Sequence, residues 1–494
     1  MSGIILTIDI GTSACKAAVY SGGGEPIAGR RTAYPLLYPG EGMVEQDPEE
    51  IVSAVCTAVE SLSECCDLSS VAAVSFSAQA SAQLLVDAAG IPLTNLISWM
   101  DRRAHKEAEL FTKLYTREAV AEMSGLDMIV TPAYSLAKMR WMRDNIPEIF
   151  DRASRFVQIK DYLIHKLTGN WVSDATSLKG LVNARDGRPI PEVMDFIGAS
   201  AELLPDVALP YDIAGGLLGG IPGFDRLPEG TPVVVGWNDM NAAFLGMGAL
   251  RGGIIGLDLT GTSEHLGYVA PFKPASFEQY QGVNRVPFID GHEAYYGVTS
   301  TGGQTAEWFV RDFLGQSDVA QYFGGLFPGA DEAAASFDTE LICLPYIAGE
   351  RNPFNAPDAK GVFFGLKRNH SQIHAARAVL EGVCFALRTI FDRFPEKPHQ
   401  VIVSGGASRN DFWNQMKADI LGVEVVRTNA AEAGCTGALI LAEKALDAGC
   451  SLREISNRII EPTAVFRPDE RRSAEYEKKY VKYLELYNTL KPLF

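Results

Sequence analysis

Ile4-Ile5-Leu6-Thr7-Ile8-Asp9-Ile10-Gly11-Thr12-Ser13, with Lys16 shortly after it, is the stretch on which the fold prediction rests. An apolar, β-branched run ends in an acid, a glycine and two hydroxyl residues, and a second apolar run, Ala17-Ala18-Val19-Tyr20, follows. This pattern is typical of a buried strand, a tight turn and a returning strand. Turn N–H groups and hydroxyls can hold phosphate oxygens, and glycine lets a ligand approach the backbone closely. We predict a phosphate-binding hairpin; an ordinary hairpin with a surface acid is the alternative.

The acid at the end of this first strand is a candidate metal ligand. Mg²⁺ keeps much of its hydration and prefers one or two carboxylates together with substrate phosphates. Asp9 is therefore predicted to organise Mg²⁺ beside a bound phosphate.

The same pattern returns in the second half of the chain, at Ile254-Ile255-Gly256-Leu257-Asp258-Leu259-Thr260-Gly261-Thr262-Ser263. Internal similarity at this separation predicts two domains of related fold, each with a phosphate-binding hairpin, that together grip a nucleoside triphosphate in a cleft between them. We place the domains at residues 1–250 and 251–494, with Arg251-Gly252-Gly253 at the boundary. Strands alternate with helices in both halves, which indicates an α/β fold class.

Bulk composition excludes several function classes. The net charge of −17 disfavours a nucleic-acid partner, because binding to a phosphate backbone depends on clusters of Lys and Arg. The eight cysteines form no CxxC pair and are expected to be free thiols. The sequence shows neither a leader-like basic region nor an apolar run of about 18 residues, so we expect no membrane span and a cytoplasmic protein.

The common catalytic motifs are missing from the sequence. There is no GxxxxGK[ST] loop, no GxGxxG after a strand, no HExxH and no GxSxG. P-loop, dinucleotide-binding, zinc-peptidase and common hydrolase chemistries are therefore disfavoured.

Asp239 is the strongest candidate for an acid–base residue. It follows the apolar run Pro232–Gly236, so it is expected at the carboxyl end of a strand and at the start of the helix Ala242–Leu250, where α/β proteins bind ligands. A carboxylate there can accept a proton from a hydroxyl that attacks a γ-phosphate. The residues alone leave a second interpretation open, namely that Asp239 is a plain helix N-cap.

Several motifs together resemble one family, the FGGY carbohydrate kinases of the actin/Hsp70/RNase H-like superfamily. The resemblance covers nearly the whole chain. It rests on Ser135–Asn145, on Gly349-Glu350-Arg351-Asn352-Pro353, on Gly361–Leu366, and on the stretch from His370 to Gly382. It implies two actin/Hsp70/RNase H-like domains with a catalytic cleft between them.

The resemblance also implies a role for each matching residue. Asp239 would be the general base and Asp9 would bind Mg²⁺. The residues implied to contact ATP are Gly11, Thr12, Ser13 and Lys16 near the transferred phosphate, Gly261 and Thr262 in the second hairpin, and Gly303, Gly405, Gly406 and Asn410 around adenosine.

The implied sugar site departs from the usual family pattern. The sugar-reading loop corresponds to Gln79–Gln83, and it has Ala80-Ser81 where xylulokinase-like and gluconate-kinase-like members typically have Met-His. Glycerol kinases have Arg-Glu there, which disfavours glycerol as the substrate. The remaining residues implied to bind substrate are Gln79, Trp99, Asp101, Arg102, Asp239 and Asn241, although Asp101 and Arg102 could instead form a surface ion pair. Glu264 stands where many relatives have glycine, and the sequence offers no reason for it.

The prediction from sequence is an ATP- and Mg²⁺-dependent kinase that phosphorylates a sugar hydroxyl, first of all a pentulose such as xylulose. A kinase of another sugar acid or polyol, such as gluconate or an erythritol-like compound, is the alternative within the family. A non-catalytic switch protein that responds to sugar or nucleotide is the alternative from another class. The expected partner is a small sugar or polyol rather than nucleic acid or membrane, and the sequence leaves a homodimer open.

Overall fold

The first hairpin forms as the sequence predicts. In the computed structural model, which describes residues 3–261, 263–274, 282–326 and 337–494, strand Ile4–Ile10 pairs antiparallel with strand Ala14–Ser21. The chain divides into two compact units. The first comprises Met1–Arg251, Val286–Gly291 and Glu432–Ile460, and the second comprises Gly252–Arg285, His292–Ala431 and Glu461–Phe494.

The first unit is built from strands and helices in alternation. Its strands are Ile4–Ile10, Ala14–Ser21, Pro26–Ala33, Glu45–Gln46, Val71–Ala78, Gln83–Val86, Leu96–Ile97, Arg155–Gln158, Val172–Asp174, Asp206–Ala208, Ile213–Gly216, Pro232–Val234 and Trp237–Asn238. Its α-helices are Pro48–Leu62, His105–Leu114, Arg117–Ser124, Ser135–Asn145, Pro147–Phe150, Ile159–Thr168, Pro191–Ile197, Asp239–Gly246, Ala433–Leu446 and Leu452–Ile459.

The main sheet of the first unit contains a three-strand meander followed by parallel strands. Its order is Pro26–Ala33, Ala14–Ser21, Ile4–Ile10, Val71–Ala78, Pro232–Val234 and Ile213–Gly216. The first three strands are antiparallel neighbours, the next two pairings are parallel, and the last is antiparallel. Parallel strands end at the same edge, so the sheet brings the ends of Ile4–Ile10 and Val71–Ala78 together, and the short strand Trp237–Asn238 pairs with the latter there.

The second unit is also α/β. Its strands are Ile255–Thr260, Glu264–Pro271, Asn284–Pro287 (whose last two residues belong to the first unit), His292–Thr299, Ile342–Pro345, Gly361–Phe364, Gln400–Gly405, Glu424–Thr428 and Pro462–Phe466. Its α-helices are Gly303–Trp308, Val319–Leu326, Gln372–Phe391, Asp411–Leu421 and Glu470–Leu490, and a π-helix spans Phe309–Phe313.

The second unit repeats the strand order of the first. Its seven-stranded sheet begins with Asn284–Pro287 at one edge and continues through His292–Thr299, Glu264–Pro271, Ile255–Thr260, Gln400–Gly405, Glu424–Thr428 and Pro462–Phe466, and the repeat comprises these last six strands. The meander, the two parallel pairings and the final antiparallel pairing recur in the same sequence. The internal repeat read from the sequence therefore corresponds to two sheets of the same topology.

Two helices of the first unit pack unusually closely behind the carboxyl ends of its strands. A Cβ at Gly437, in helix Ala433–Leu446, would overlap the carbonyl oxygen of Ala242. Likewise, a Cβ at Gly246, at the end of helix Asp239–Gly246, would overlap the carbonyl oxygen of Ala433. Glycine at both crossing points lets the backbones touch, which fixes the two helix starts relative to each other.

No helix among the residues that the structure describes is long and apolar enough to cross a membrane.

Candidate active site

The first hairpin places Asp9 at an accessible strand end. Asp9 lies opposite Lys16 on the returning strand and beside Ser77 on the parallel strand. The turn is closed by the Gly11 N–H, which donates to the carbonyl oxygen of Ala14 at 3.0 Å. The Asp9 side chain is partly exposed while most of its strand is buried, so the carboxylate emerges at the edge of the core.

The surroundings of Asp9 control the charge of its carboxylate. Ser77 Oγ donates to Asp9 Oδ1 at 2.7 Å, and a Cβ at Gly434 would lie 3.1 Å from the same oxygen. Loss of hydration raises the pKa of Asp9, while the Ser77 hydrogen bond and the charge of Lys16 lower it and the charge of Glu432 raises it. A cation bound to the Asp9 carboxylate would stabilise its ionised form.

Glu432 is a site residue that the sequence analysis missed. It forms an ion pair with Lys16 Nζ, although the two residues are 416 positions apart. Glu432 directly precedes helix Ala433–Leu446, which packs against the sheet of the first unit. Both side chains keep about two fifths of their surface exposed (38% and 43%), so Lys16 is held near the hairpin but remains accessible.

A hydrogen-bonded chain links the hairpin to the predicted sugar loop. Trp99 Nε1 donates to Thr12 Oγ1 at 2.9 Å, and Gln46 Nε2 donates to the Thr12 carbonyl oxygen at 2.8 Å. Gln79 Nε2 in turn donates to Gln46 Oε1 at 2.8 Å. Ser13, next to Thr12, is exposed. Three predicted residues, Thr12, Gln79 and Trp99, are thus brought together, and Gln46 joins them from a short strand that no motif had marked.

Asp239 opens a helix directly after a strand, as predicted. The Asn238 side chain caps this helix by accepting from the Asn241 N–H at 3.0 Å, so Asn238, and not Asp239, is the N-cap. Asp239 Oδ1 accepts from the Met240 N–H at 2.8 Å. The alternative reading of Asp239 as the helix cap is therefore wrong.

The environment of Asp239 brings its titration into the neutral range. Loss of hydration raises the pKa of Asp239 to about 7, and the negative charge of Asp9 adds to the rise, while the Met240 N–H and Lys179 oppose it. The residue nevertheless keeps an exposed surface, so it is accessible to a ligand although surrounding protein atoms limit its hydration. A carboxylate with these properties is suited to accept a proton at neutral pH.

Three buried polar atoms of the predicted substrate residues have no hydrogen-bond partner among the described residues. They are Gln79 Oε1, Ser81 Oγ and Asn241 Oδ1, and each of these residues is only 1% exposed. Ala80, between Gln79 and Ser81, is partly exposed. Buried polar groups are normally paired, so these atoms are candidates for contact with a bound ligand.

Lys138, in the helix Ser135–Asn145, fixes the backbone of the sugar loop. Its buried Nζ donates to the carbonyl oxygens of Ser81, Ser98 and Ile97, at 2.5, 2.8 and 3.3 Å. Burial lowers the pKa of Lys138 well below its usual value, and the nearby negative charge of Asp101 opposes that effect. This lysine therefore ties two predicted substrate segments to one helix.

Asp101 and Arg102 do not form the surface pair considered above. Asp101 is buried, accepts the Val44 N–H at 2.7 Å, and binds Arg103, whose Nε lies 3.0 Å from both of its carboxylate oxygens. Arg103 also contacts Glu45 at 2.7 Å, whereas Arg102 is exposed. That hypothesis is wrong because the arginine two positions after Asp101, rather than its neighbour, turns inward.

In the second unit, glycines let three loops approach one another. The Gly303 N–H donates to the Gly261 carbonyl oxygen at 3.0 Å, and a Cβ at Gly303 would lie 2.6 Å from that oxygen. A Cβ at Gly405, where φ is +90°, would overlap the carbonyl oxygen of Thr260. These glycines hold the second hairpin by backbone contact. Thr262, predicted to bind phosphate, lies outside the described residues.

The two remaining adenosine-site candidates differ in kind. A Cβ at Gly406 would meet nothing within 4 Å, so this position borders open space. Asn410 instead caps helix Asp411–Leu421, because its Oδ1 accepts from the Trp413 N–H at 3.0 Å. Asn410 therefore has a structural task whether or not it contacts a nucleotide.

Glu264, which the sequence left unexplained, belongs to a buried ionic cluster at the base of the second hairpin. Lys417 Nζ binds both Asp258 and Glu264, and all three side chains are at most 1% exposed. Glu264 Oε1 also accepts from Thr260 Oγ1 at 2.7 Å. Burial and the charge of Glu264 raise the pKa of Asp258 well above its usual value, which Lys417 opposes. The cluster joins both strands of the hairpin to helix Asp411–Leu421.

Within the part of the chain that the structure describes, no group of three or more His, Cys, Asp or Glu side chains is arranged to hold a metal ion. A cation at Asp9 would therefore depend on ligands from a substrate or from water.

Comparisons with known proteins identify the family of this chain. A family model described as the N-terminal domain of the FGGY family of carbohydrate kinases matches residues 4–246, and its C-terminal counterpart matches residues 259–446. A xylulose kinase from Bacillus subtilis (strain 168) is 28% identical over 503 residues, covering 99% of this chain and 97% of the relative. A gluconokinase from Bacillus licheniformis is 30% identical over 516 residues, covering 99% and 96%.

Solved structures are similar over the same length. A ligand-bound xylulose kinase from Lactobacillus acidophilus has a TM-score of 0.86 at 25% identity, and a gluconate kinase from the same organism has 0.86 at 27%. Each comparison covers 99% of this chain and 98% of the solved one. The predicted fold class is confirmed, and the chain belongs to the FGGY family of carbohydrate kinases, for which ATP is the expected phosphoryl donor.

Proposed function

We propose that this kinase transfers the γ-phosphoryl group of ATP to a hydroxyl of a pentulose such as xylulose, with Asp239 as the general base. The observation that carries the proposal is the state of Asp239: accessible, at a strand end, beside Asp9, and with a pKa raised to about 7. Such a carboxylate is ionised in a useful fraction at neutral pH and still basic enough to take a proton.

In the proposed step, the sugar hydroxyl oxygen attacks the γ-phosphorus while its proton passes to Asp239. The bond between the γ-phosphorus and the oxygen that bridges to the β-phosphate breaks, ADP leaves, and Asp239 later releases the proton to solvent. Lys16 and the turn N–H groups of Thr12 and Ser13 would stabilise negative charge on the transferred group, which Gly11 lets approach the backbone. Lys16 would exchange its Glu432 partner for phosphate, which its exposure allows.

The residues present fit Mg²⁺ at Asp9. Loss of hydration and the charge of Glu432 raise the pKa of Asp9, and the charge of Asp9 in turn raises the pKa of Asp239, so a divalent cation would find favourable charge there. Asp9 would hold the ion with phosphate oxygens and water, and the ion would neutralise charge on the phosphates.

The sugar would be read by the buried polar atoms of the first unit. Gln79 Oε1 and Asn241 Oδ1 are acceptors that suit sugar hydroxyls, and the Ser81 hydroxyl can donate or accept. We propose that Trp99 and Ala80 border the same site, that Asp101 acts through the Val44 and Arg103 backbone it anchors, and that the exposed Arg102 contacts the substrate directly. Relatives named xylulose kinase support a pentulose as the first choice.

A sugar acid is the second candidate, and two observations favour it. The gluconokinase of B. licheniformis is 30% identical to this chain, and Lys179 lies close enough to Asp239 to lower its pKa. A cation in this position could bind a substrate carboxylate.

For the nucleotide, we propose contacts with the second unit at Gly261, Thr262, Gly303, Gly405, Gly406 and Asn410. Gly406 is the best supported of these, because open space rather than protein lies where its Cβ would be. A cytoplasmic location and a homodimer stay predictions.

The test is ADP release with Mg-ATP against pentuloses, pentitols, hexonates and glycerol, with Asp239→Asn as the variant. We expect one pentulose to stimulate turnover in the wild type and the variant to lose at least about 100-fold in kcat while it binds ATP normally, since general-base catalysis contributes roughly 10²–10⁴-fold. Stimulation by a hexonate alone would select the sugar-acid alternative. Equal, sugar-independent hydrolysis by both proteins would support a switch protein and contradict the kinase proposal.

A further inference from the structure

The hydroxyl of Thr176 lies against the turn that carries Asp239. Thr176 Oγ1 accepts from Trp237 Nε1 at 2.8 Å and from Asn238 Nδ2 at 2.9 Å, and Asn241 Nδ2 is 3.4 Å away. These donors stand on both sides of Asp239 in the chain, whereas Thr176 is more than 60 residues earlier. One hydroxyl thus holds the end of strand Trp237–Asn238 and the first turn of the next helix.

The direction of this hydroxyl is itself fixed. Thr176 Oγ1 donates to Asp174 Oδ1 at 2.6 Å, and an ionised carboxylate can only accept. Asp174 is buried, accepts the backbone N–H groups of Thr176 and Ser177 at 3.1 and 3.0 Å, and lies 3.4 Å from Lys160 Nζ. With its single proton committed to Asp174, the Thr176 oxygen has both lone pairs available for the donors beside Asp239.

Thr176 also determines which way the Asn238 amide faces. Because Asn238 Nδ2 donates to Thr176, Asn238 Oδ1 is left to cap the helix through the Asn241 N–H at 3.0 Å. A rotated amide would lose both bonds. The helix start that presents Asp239 is therefore determined by the Lys160, Asp174 and Thr176 side chains acting in series.

We infer that Thr176 is a positioning residue for the base, with Asp174 directing its hydroxyl. The inference rests on the proposed role of Asp239. Reacting groups must be held within a narrow geometry, and a displacement of about 1 Å can cost roughly 100-fold in rate. In this role Thr176 acts through Trp237 and Asn238 rather than on the substrate, and its contact with Asn241 is the longest of the three, at 3.4 Å. Its removal is therefore expected to lower the fraction of productive complexes with little effect on sugar binding.

The test uses Thr176→Val, which keeps the side-chain shape and removes the hydroxyl, and Thr176→Ser, which restores it. For Val we expect kcat to fall about 10- to 100-fold with the KM values for sugar and ATP within about twofold of wild type, and for Ser we expect most of the rate to return. Ser177→Ala is the matched control: Ser177 Oγ donates to the same carboxylate at 2.5 Å but lies outside the set of groups that bind the Asp239 turn.

Asn238→Ser serves as a second variant, since serine still caps a helix but lacks the amide donor. It should reproduce the loss in kcat. A wild-type rate in Thr176→Val, failure of Thr176→Ser to recover, or an equal loss in Ser177→Ala would each overturn the inference. Asp239→Asn is measured in parallel to separate the two proposals. Full turnover in Asp239→Asn would show that Asp239 is not the base. Loss of turnover in Asp239→Asn together with a wild-type rate in Thr176→Val would leave the base in place and contradict only the role of Thr176.

Discussion

Replacing Lys138 by methionine tests whether one buried ammonium organises the sugar loop. The change keeps an unbranched side chain of similar length and removes every N–H that now reaches the carbonyl oxygens of Ser81, Ser98 and Ile97. The Ile97 contact is the longest, at 3.3 Å, and the Ser98 carbonyl oxygen also accepts the Asp101 N–H at 3.1 Å, so we count the Ser81 carbonyl alone as losing its donor. Methionine fills the space but leaves the Ser81 oxygen without that donor inside the protein.

The magnitude follows from that count. A buried carbonyl left without a donor costs ~1–3 kcal/mol, and the bonds lost at Ser98 and Ile97 add to that cost. The variant is also spared the cost of burying an amino group, which offsets part of the loss, so we expect the free energy of unfolding to fall by ~1–2 kcal/mol. This is smaller than a typical total stability of about 5–15 kcal/mol, so the variant should fold.

Two assays measure the effect. With a urea slope of about 2–3 kcal/mol/M, the unfolding midpoint of the transition that includes this unit should fall by about 0.5 M. Because Ser81 and Ser98 flank predicted substrate residues, the KM for sugar should rise about tenfold, equivalent to roughly 1.4 kcal/mol, with the KM for ATP unchanged. Lys106→Met, at an exposed lysine, is the control and should change neither. A wild-type midpoint together with a wild-type KM for sugar in Lys138→Met would refute the reasoning.

Three further predictions follow from the same unit. The pKa of Asp239 is about 7 in the folded chain and about 3.9 in an unfolded one, so between these pH values unfolding releases a proton. The free energy of unfolding of the wild type, relative to that of Asp239→Asn, should therefore fall as the pH rises from 4 to 7, and urea unfolding at each pH measures it. Gly434→Ala places a Cβ 2.9 Å from Ser77 Oγ and should lower kcat by disturbing the Ser77–Asp9 bond, although alanine usually gains ~0.5–1 kcal/mol over glycine in a helix. Gly437→Ala should separate the two packed helices and lower the free energy of unfolding by ~1–3 kcal/mol.

Each of these has a result that contradicts it. A pH-independent stability difference for the Asp239 variant would show that its carboxyl titrates normally. Unchanged kcat in Gly434→Ala would mean that Ser77 can rotate without consequence for Asp9. For Gly437, the control is Gly449→Ala, at a turn outside the helix crossing; equal melting of the two variants would remove the argument from close packing.

Short sequence patterns were enough to predict the elements of the candidate site whose residues are close together in the chain. The first hairpin, its repeat, the strand-to-helix placement of Asp239 and the family motifs are all read within windows of about ten residues. The hairpin register puts Asp9 opposite Lys16, because the turn that joins the two strands sets which residues face each other. Asp9, Thr12 and Asp239 were identifiable because each stands at a strand end, where α/β folds expose side chains.

Residues that act from a distance were not predictable in this way. Gln46, Thr176 and Glu432 reach the site across 34, 61 and 416 positions of chain, and none stands in a recognisable motif. Arg102 was named from the sequence rather than Arg103, because two adjacent arginines do not reveal which side chain is directed into the protein. The sequence offered no reason for an acid at Glu264, because its partner Lys417 lies on a helix 153 residues later in the chain.

The offset between the two hairpin acids has a consequence for how a duplicated fold can specialise. Asp9 and Leu259 occupy the same partly exposed position at the ends of their strands, while Asp258 is one residue earlier and points into the core, where Lys417 compensates its charge. A shift of one residue therefore exchanges a partly exposed strand-end carboxylate for a buried one whose charge Lys417 compensates. The second copy has an apolar side chain where the first has an acid, so two sheets of the same topology present different charge at the same strand end.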